Sequence, residues 1–180
     1  MTERGSRLEG YRRRRDQFFK DHPHSPLNED QRREFTGLNY FPERPDLVLR
    51  LPLDTSGEGI DEQVAMATTD GKVKHFYRAG RISFPVDGQD VTLSVFRDAP
   101  HGGFFIPFRD QLAGDETYIH GRYLEPQAYP DGTIEVDLNY AYNPFCAYGD
   151  GWSCPIPPAE NHLTVPIRAG EAKFSLPGPN

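Results

Sequence analysis

The sequence lacks the features that would place a protein at a membrane or outside the cell. No apolar run approaches the roughly 20 residues that a membrane-spanning helix needs. Positions 1–17 are rich in charge but contain no apolar segment of the kind found in secretory signals. We therefore expect a cytoplasmic protein with no membrane partner, in which Cys146 and Cys154, the two cysteines of the chain, are reduced thiols.

Basic residues are also in short supply. The chain has 20 Lys and Arg against 27 Asp and Glu, which gives a net charge of −7. Binding to the phosphate backbone requires a positive surface, so the composition argues against a nucleic-acid partner. The segment Arg12–Arg15 is a local basic cluster. We expect it to be a solvated helix face that pairs with acidic neighbours, and an anion or RNA contact is the alternative.

Aliphatic residues are few, and aromatic residues take their place. Hydrophobic residues make up 36% of the chain, whereas aromatic residues reach 12%. Because each buried ring removes roughly 150–250 Å² from water, such a composition can still form a core. Gly and Pro number 17 each, and this density of turn formers favours many short strands over long helices.

Helical patterns are confined to the N-terminal region. Ser6-Arg7-Leu8-Glu9 has the spacing of a capping box and predicts a helix over residues 7–20. Asp21-His22-Pro23 ends it, since the residue before a proline avoids helical angles. Ser25-Pro26 predicts the start of a second, short helix that continues to Glu34.

The hydrophobic period changes to two after residue 46, and turn signals recur every 8–12 residues or so. The predicted strands are Leu47–Leu53, Val64–Thr69, Val73–Ala79, Ile82–Val86, Val91–Phe96, Phe104–Phe108, Glu116–Leu124, Thr133–Leu138, Leu163–Ile167 and Lys173–Leu176. This pattern predicts a mainly β fold, an antiparallel sandwich or partly open barrel with one or two N-terminal helices. We expect a single domain over residues 1–180, with a helical cover at 1–35, a β body at 46–176 and a lid loop rich in proline and aromatic residues at 139–162.

Several segments carry a family resemblance. They read FIPFRDQLAGDETYIHGRYLE, DLNYAYNPFCAYGDGWSCPIPPAENHL, IRAGE, YRRRRDQFFKDHPHSPL and FTGLNYFP. Together they resemble domain of unknown function family 1684, which occurs in bacteria and archaea. The family has no established activity. The resemblance therefore implies one domain and an important role for residues 137–162, but no mechanism.

The two cysteines allow several interpretations. Seven residues separate Cys146 from Cys154, unlike the close pairs of common zinc sites. They could be structural thiols or a disulfide, which would stabilise the fold by about 2.5 kcal/mol. They could also bind a divalent metal, with ligands from His120, Asp137 and His162. A catalytic nucleophile is the remaining alternative, although no neighbour in sequence lowers a thiol pKa.

Polar residues around the lid loop suggest a binding site. Tyr118, His120 and Arg122 alternate along a predicted strand, where Arg122 could pair with a ligand carboxylate or, structurally, with Asp110. Asp137 and Asn139 end another strand on a common face, and either a solvated face or a ligand site fits them. Glu160, Asn161 and His162 either pin the loop through backbone hydrogen bonds or add an acid and an imidazole to the site.

The sequence leaves three functions open. The first is a small-molecule-binding domain with a pocket under the lid loop. Its candidate ligand-binding residues are Tyr118, His120, Arg122, Asp137, Asn139, Tyr142, Trp152 and His162, with Phe145 beside Trp152 as an aromatic wall. The second is a hydrolase, metal-assisted or not, that uses His120, Asp137, Glu160 and His162. The third is a structural or protein-interaction module.

Overall fold

The computed structural model describes residues 3–176. In this range the fold is mainly β, with two antiparallel sheets, half-barrel curvature and one main N-terminal helix. The predicted fold class is therefore confirmed. None of the helices in the described range is long and apolar enough to cross a membrane.

Helix α1 spans Glu3–Asp21 and helix α2 spans Glu29–Glu34. Helix α1 begins before Ser6, so the predicted capping box at Ser6 is wrong. Helix α2 also begins later than predicted, because Asn28 and not Ser25 is its N-cap. The Asn28 side chain accepts a hydrogen bond from the Gln31 amide, and the Gln31 side chain accepts one from the Asn28 amide. This reciprocal pair satisfies two helix-terminal donors.

The strands form two sheets. Their bounds are β1 Val48–Pro52, β2 Gln63–Ala67, β3 Val73–Val86, β4 Gln89–Arg97, β5 Phe104–Phe108, β6 Arg122–Leu124, β7 Gln127–Ala128 and β8 Thr133–Asp137. The larger sheet has the order β2-β3-β4-β5-β6, and the smaller has the order β1-β8-β7. Apolar side chains from the facing sheets form the main core, for example Phe84, Leu93 and Ile106 from the larger sheet and Ile134 and Val136 from the smaller.

The sequence predicted two strands here, Val73–Ala79 and Ile82–Val86. In the structure they form one continuous strand, β3, which contains Gly80. The pairing of β3 with β4 shifts between Arg78 and Gly80. A Cβ atom at Gly80 would lie 2.7 Å from the Leu53 side chain and 2.8 Å from the carbonyl oxygen of Asp54. The glycine therefore permits the 53–54 segment to approach the backbone of β3 closely.

Three other predicted strands are wrong in part or entirely. Of Glu116–Leu124, only the last three residues form β6, and turns precede them. Leu163–Ile167 and Lys173–Leu176 run as irregular chain. The short strand β7 was not predicted. The alternation in 116–124 misled because local backbone hydrogen bonds close turns there, from the Thr117 amide to the Leu112 carbonyl and from the Gly121 amide to the Tyr118 carbonyl.

A second apolar cluster attaches α1 to the C-terminal half of the chain. It contains Phe19 of α1 with Leu27, Phe35, Leu38 and Tyr148, all buried. The rings of Phe19 and Tyr148 meet edge to face with centroids 4.6 Å apart. Helix α1 thus packs mainly on the loop that follows β8, and its N-terminal end extends beside the smaller sheet.

Candidate functional site

Buried asparagines hold the loop over residues 139–162 in place. Asn139, Asn143 and Asn161 are each at most 1% exposed. The side chain of Asn161 accepts from the Ser94 amide at 2.8 Å and donates to the carbonyl oxygens of Ser94 and Pro107 at 2.9 and 2.8 Å. Because this buried side-chain amide forms hydrogen bonds with backbone groups of both strands, it fixes the loop against β4 and β5.

Asn139 has the same kind of role at the other end of the loop. Its side-chain oxygen accepts from the Arg44 amide at 2.7 Å, and its side-chain nitrogen donates to the Arg44 carbonyl at 2.9 Å and to Asp137. Asn139 was predicted as a ligand-binding residue. Its polar atoms are instead engaged with the chain itself.

A buried carboxylate, Glu171, joins α1 to the same loop. Glu171 is 1% exposed. It accepts hydrogen bonds from Arg15 at 2.9 Å, from the Asn143 amide at 3.0 Å and from the Tyr148 hydroxyl. Burial raises the pKa of Glu171, and the Arg15 charge opposes that shift. Arg15 therefore belongs to a buried ion pair, whereas the sequence predicted a solvated face for the cluster Arg12–Arg15.

Arg122 is also buried, at 1% exposure, and this corrects its predicted place at a pocket mouth. It donates to the carbonyl oxygens of Ile167 at 2.8 Å, Glu171 at 3.0 Å and Ala169. Its charge lies 3.5 Å from Asp110, the structural partner that the sequence offered as the alternative. Asp110 in turn accepts from the Ile167 amide at 2.8 Å. Arg122 and Asp110 thus shape the 167–171 segment that presents Glu171.

The remaining predicted residues do not meet in one pocket. Tyr118 and His120 contact each other edge to face, with ring centroids 5.6 Å apart. The His162 ring nitrogen bonds the carbonyl oxygen of Pro157 at 3.0 Å, and Trp152 packs on Phe145 with centroids 5.1 Å apart.

Asp137 lies near the N-terminal end of α1, where its carboxylate is 3.3 Å from Arg4. Over residues 3–176, no three or more His, Cys, Asp or Glu side chains are placed to hold a metal ion. The predicted metal set of His120, Asp137, His162, Cys146 and Cys154 is therefore not assembled.

The structure instead forms a cleft of 620 Å³ between α1 and the smaller sheet. Arg4, Arg7 and Tyr11 line the helix side, and Tyr140 and Tyr142 line the side formed by the chain after β8. The sheet and the chain around β6 and β7 supply Val48, Leu49, Arg50, Leu124, Glu125, Pro126, Gln127, Glu135, Val136 and Asp137. Two of the predicted ligand-binding residues, Asp137 and Tyr142, thus line this cleft.

The carboxylates of this cleft already have partners. Glu125 accepts from the Tyr142 hydroxyl at 2.6 Å, and Glu135 accepts from the Tyr129 hydroxyl at 2.6 Å. Asp137 accepts from Asn139 and Arg4. Each of these carboxylates therefore has at least one hydrogen-bond partner within the protein.

Donors of the same cleft, in contrast, are available. In the described part of the chain, the Arg7 guanidinium and the hydroxyls of Tyr11 and Tyr140 make no hydrogen bond or ion pair. The Nε atom of Arg4 is buried without a hydrogen-bond partner among these residues. The rings of Tyr11 and Tyr140 lie 4.8 Å apart, which brings the two phenols together.

Burial governs the ionisation of these groups. Burial raises the pKa of Tyr11 and the pKa of Tyr140. The charges of Arg4, Arg7 and Arg14 lower the pKa of Tyr140, but by less than burial raises it. Both phenols therefore remain protonated donors near neutral pH. Burial also raises the pKa of Asp137, against the hydrogen bonds from Asn139 and the charge of Arg4.

A second cleft of 660 Å³ adjoins the first across the Tyr142–Glu125 hydrogen bond. Glu125, Pro126 and Tyr142 line both clefts. The walls of the second cleft are largely aromatic, with Phe76, Phe104, Phe105 and Tyr123.

The sequence contained a signal for the helix side of the first cleft. Arg4, Arg7 and Tyr11 are spaced at three and four residues, which places them on one helical face. The apolar spacing of Leu8, Tyr11, Phe18 and Phe19 instead predicts a core face for Tyr11, whereas the structure places Tyr11 in the lining of the cleft. The pairing of this face with Tyr140 depends on a tertiary contact across 129 residues, which no local pattern reveals.

Comparisons with known proteins agree with the fold. A solution NMR structure of an uncharacterized protein of Haloarcula marismortui is 37% identical, with a TM-score of 0.70 and coverage of 93% of each chain. No curated protein matches the chain. Residues 33–172 match the family model described as "Protein of unknown function (DUF1684)". The matched range covers most of the chain, and the protein therefore belongs to this family.

Proposed function

We propose that this domain binds a small organic anion, a carboxylate or a phosphate monoester with an apolar body, in the cleft between α1 and the smaller sheet. The proposal rests on one observation: the cleft's carboxylates are engaged within the protein, whereas Arg7, Tyr11 and Tyr140 offer unpaired donors. A ligand rich in acceptors would satisfy these donors without displacing an internal hydrogen bond.

The size and lining of the cleft support such a ligand. Its volume of 620 Å³ lies in the range of pockets for small molecules. Val48, Leu124 and Pro126 offer apolar contact, and the adjacent tyrosine rings offer stacking surfaces. The site thus replaces the pocket under the lid loop that the sequence predicted, while it keeps Asp137 and Tyr142.

The hydrolase alternative has less support. Its candidate acid, Glu160, forms a two-point ion pair with Arg78 and accepts from Ser94, and these contacts lower its pKa. A general acid at neutral pH requires a raised pKa. His162 contacts the Pro157 carbonyl instead of Glu160.

Thermal unfolding in the presence of benzoate, succinate or phenyl phosphate tests the proposal. A compound present at 100 times its dissociation constant should raise the melting temperature by roughly 5–10 °C. Arg7→Ala and Tyr140→Phe should reduce the shift strongly without altering the melting temperature of the free protein, because neither group has an internal partner.

Arg13→Ala is the matched control. It removes the same charge from the same helix, and Arg13 is an exposed residue whose ion partner is Glu9. The proposal fails if no compound of these classes raises the melting temperature. It fails equally if Arg13→Ala reduces the shift as much as Arg7→Ala, since the effect would then reflect net charge.

A further inference from the structure

The Sγ atoms of Cys146 and Cys154 lie 2.6 Å apart, and both cysteines are free thiols in the structure. This separation is longer than a disulfide bond, which measures about 2.05 Å, and shorter than an ordinary contact between two thiols. The two residues stand near the ends of a short loop that contains Trp152. The sequence left thiols, a disulfide and metal ligands open here, and the metal set is not assembled.

Backbone hydrogen bonds hold this loop against the turn that joins β2 to β3. The Thr69 amide donates to the Cys154 carbonyl at 3.0 Å, and the Cys154 amide donates to the Thr69 hydroxyl at 3.1 Å. The Ile156 amide donates to the Ala67 carbonyl at 2.8 Å. Cys154 is thus fixed from both sides, so the approach of the sulfurs follows from the fold of the loop.

Cys146 is positioned through its side chain, whereas Cys154 is positioned through its backbone. Its Sγ atom lies 2.9 Å from the Thr69 hydroxyl and 3.3 Å from the Trp152 carbonyl oxygen. Asp70 of the β2–β3 turn also contacts the cysteine loop, since it accepts a hydrogen bond from the Ser153 hydroxyl at 2.9 Å. The β2–β3 turn therefore contacts both cysteines and holds their thiols next to each other.

The two thiols differ in access. Cys154 is buried, whereas Cys146 is partly exposed. Burial also raises the pKa of the Cys154 thiol to about 11. A reagent from solution would meet Cys146 first, and Cys154 lies within reach of the product without rearrangement of the backbone.

We propose that Cys146 and Cys154 form a reversible dithiol–disulfide site that reacts with low-molecular-weight disulfides. In the first step the Cys146 thiolate attacks one sulfur of oxidised glutathione, a Cys146–glutathione mixed disulfide forms, and one glutathione thiolate leaves. In the second step Cys154 gives its proton to solvent, and its thiolate attacks the Sγ atom of Cys146. The second glutathione leaves as a thiolate, so that two protein thiols are oxidised and one glutathione disulfide is reduced to two thiols.

The bond would close the loop between residues 146 and 154 while the loop is attached to the β2–β3 turn. Because the thiols already lie in contact, the native loop needs little adjustment and the cross-link mainly restricts the unfolded chain. Oxidation should therefore raise the melting temperature by roughly 5–10 °C. Reduction with dithiothreitol should reverse the change.

Incubation of the folded protein with oxidised glutathione, followed by mass spectrometry and thiol counting in denaturant, tests the proposal. The expected product has lost about 2 Da, carries no glutathione and has no free thiol. Cys154→Ser should retain one glutathione on Cys146, because the resolving thiol is absent. Cys146→Ser should react far more slowly, because Cys154 is buried.

Three results would overturn the proposal. They are a stable glutathione adduct on the wild-type protein, a disulfide between two molecules, and two thiols that remain unreacted in the folded state. The wild-type measurement decides the matter even if a serine variant folds poorly. The test involves neither Arg7 nor Tyr140, so its result is independent of the proposed anion binding.

Discussion

The guanidinium of Arg15 lies 2.9 Å from the carboxylate of Glu171, and this ion pair connects the first helix to a segment 156 residues further along the chain. Both side chains are largely buried, at 15% and 2% exposure. The Tyr148 hydroxyl and the Asn143 amide complete the coordination of the carboxylate. Arg15, Glu171, Tyr148 and Asn143 come from three of the segments that carry the family resemblance, YRRRRDQFFKDHPHSPL, DLNYAYNPFCAYGDGWSCPIPPAENHL and IRAGE.

Glu171→Ala should destabilise the protein by about 3–5 kcal/mol, because it leaves the buried charge of Arg15 without a partner. Urea unfolding followed by circular dichroism measures the loss. The double variant Arg15→Leu with Glu171→Leu removes both charges and should be markedly more stable than Glu171→Ala. Equal losses in the single and double variants would contradict the ion-pair explanation.

Arg122→Leu should destabilise the fold by at least about 3 kcal/mol, since several carbonyl oxygens and Asp110 lose a buried donor. Arg168→Leu, which removes an exposed arginine from the segment that Arg122 holds, is the control and should cost about 1 kcal/mol or less. If both substitutions leave the unfolding midpoint unchanged, the structural role assigned to Arg122 is wrong.

Two tyrosines of the loop over residues 139–162 should differ in how much stability they lose with the hydroxyl. Tyr148→Phe removes a buried hydrogen bond to Glu171 and should cost about 1–3 kcal/mol. Tyr140→Phe should change stability by less than about 0.5 kcal/mol, because its hydroxyl has no partner in the described chain. Chemical unfolding of the pair measures the contrast, and a large loss in Tyr140→Phe would show that its hydroxyl is engaged.

The attachment of the cysteine loop should depend on the charge of Asp70. Hydrogen bonds from Thr68 and Ser153 lower the pKa of Asp70 to about 2. A carboxylate with a lowered folded pKa contributes stability that is present above its unfolded pKa, which is 3.8. That contribution is lost as the pH falls through the folded pKa.

The difference in melting temperature between the wild-type protein and Asp70→Asn should therefore be constant from pH 7 to pH 5 and shrink toward pH 2. Melting curves across this range measure it. Asp150→Asn, at an exposed position of the same loop, is the control and should give a small difference at pH 7. A difference for Asp70→Asn that grows on acidification would contradict the assignment.

The sequence predicted strand bounds best where turn residues precede a short apolar run. Phe104–Phe108, which follows His101-Gly102-Gly103 and pairs with β4 and β6, was predicted with the bounds that the structure shows. The strand predicted at Glu116–Leu124 failed for a physical reason. The Thr117 hydroxyl donates to Asp110, and Arg122 donates to the carbonyl oxygens of Ile167 and Glu171. The polar residues that alternate there therefore serve these buried contacts and do not reflect a sheet.

The candidate site was predicted only in part for a similar reason. Asp137 and Tyr142 do line the proposed cleft, whereas Arg122 and Asn139 resemble ligand-binding residues in type but are engaged with the backbone. Side-chain chemistry alone cannot distinguish an arginine that binds a ligand from one that binds carbonyl groups of its own chain. The distinction depends on burial and on contacts between distant segments.

The packing of α1 on the C-terminal loop has a consequence for the order in which the chain acquires its structure. During synthesis the helix emerges well before its charge partner Glu171 and the ring of Tyr148. Contacts of such long sequence separation form slowly, since a long chain must close before they contribute. We therefore expect the two sheets to assemble before the helix docks, so that the helix, although translated before the sheets, becomes ordered after them.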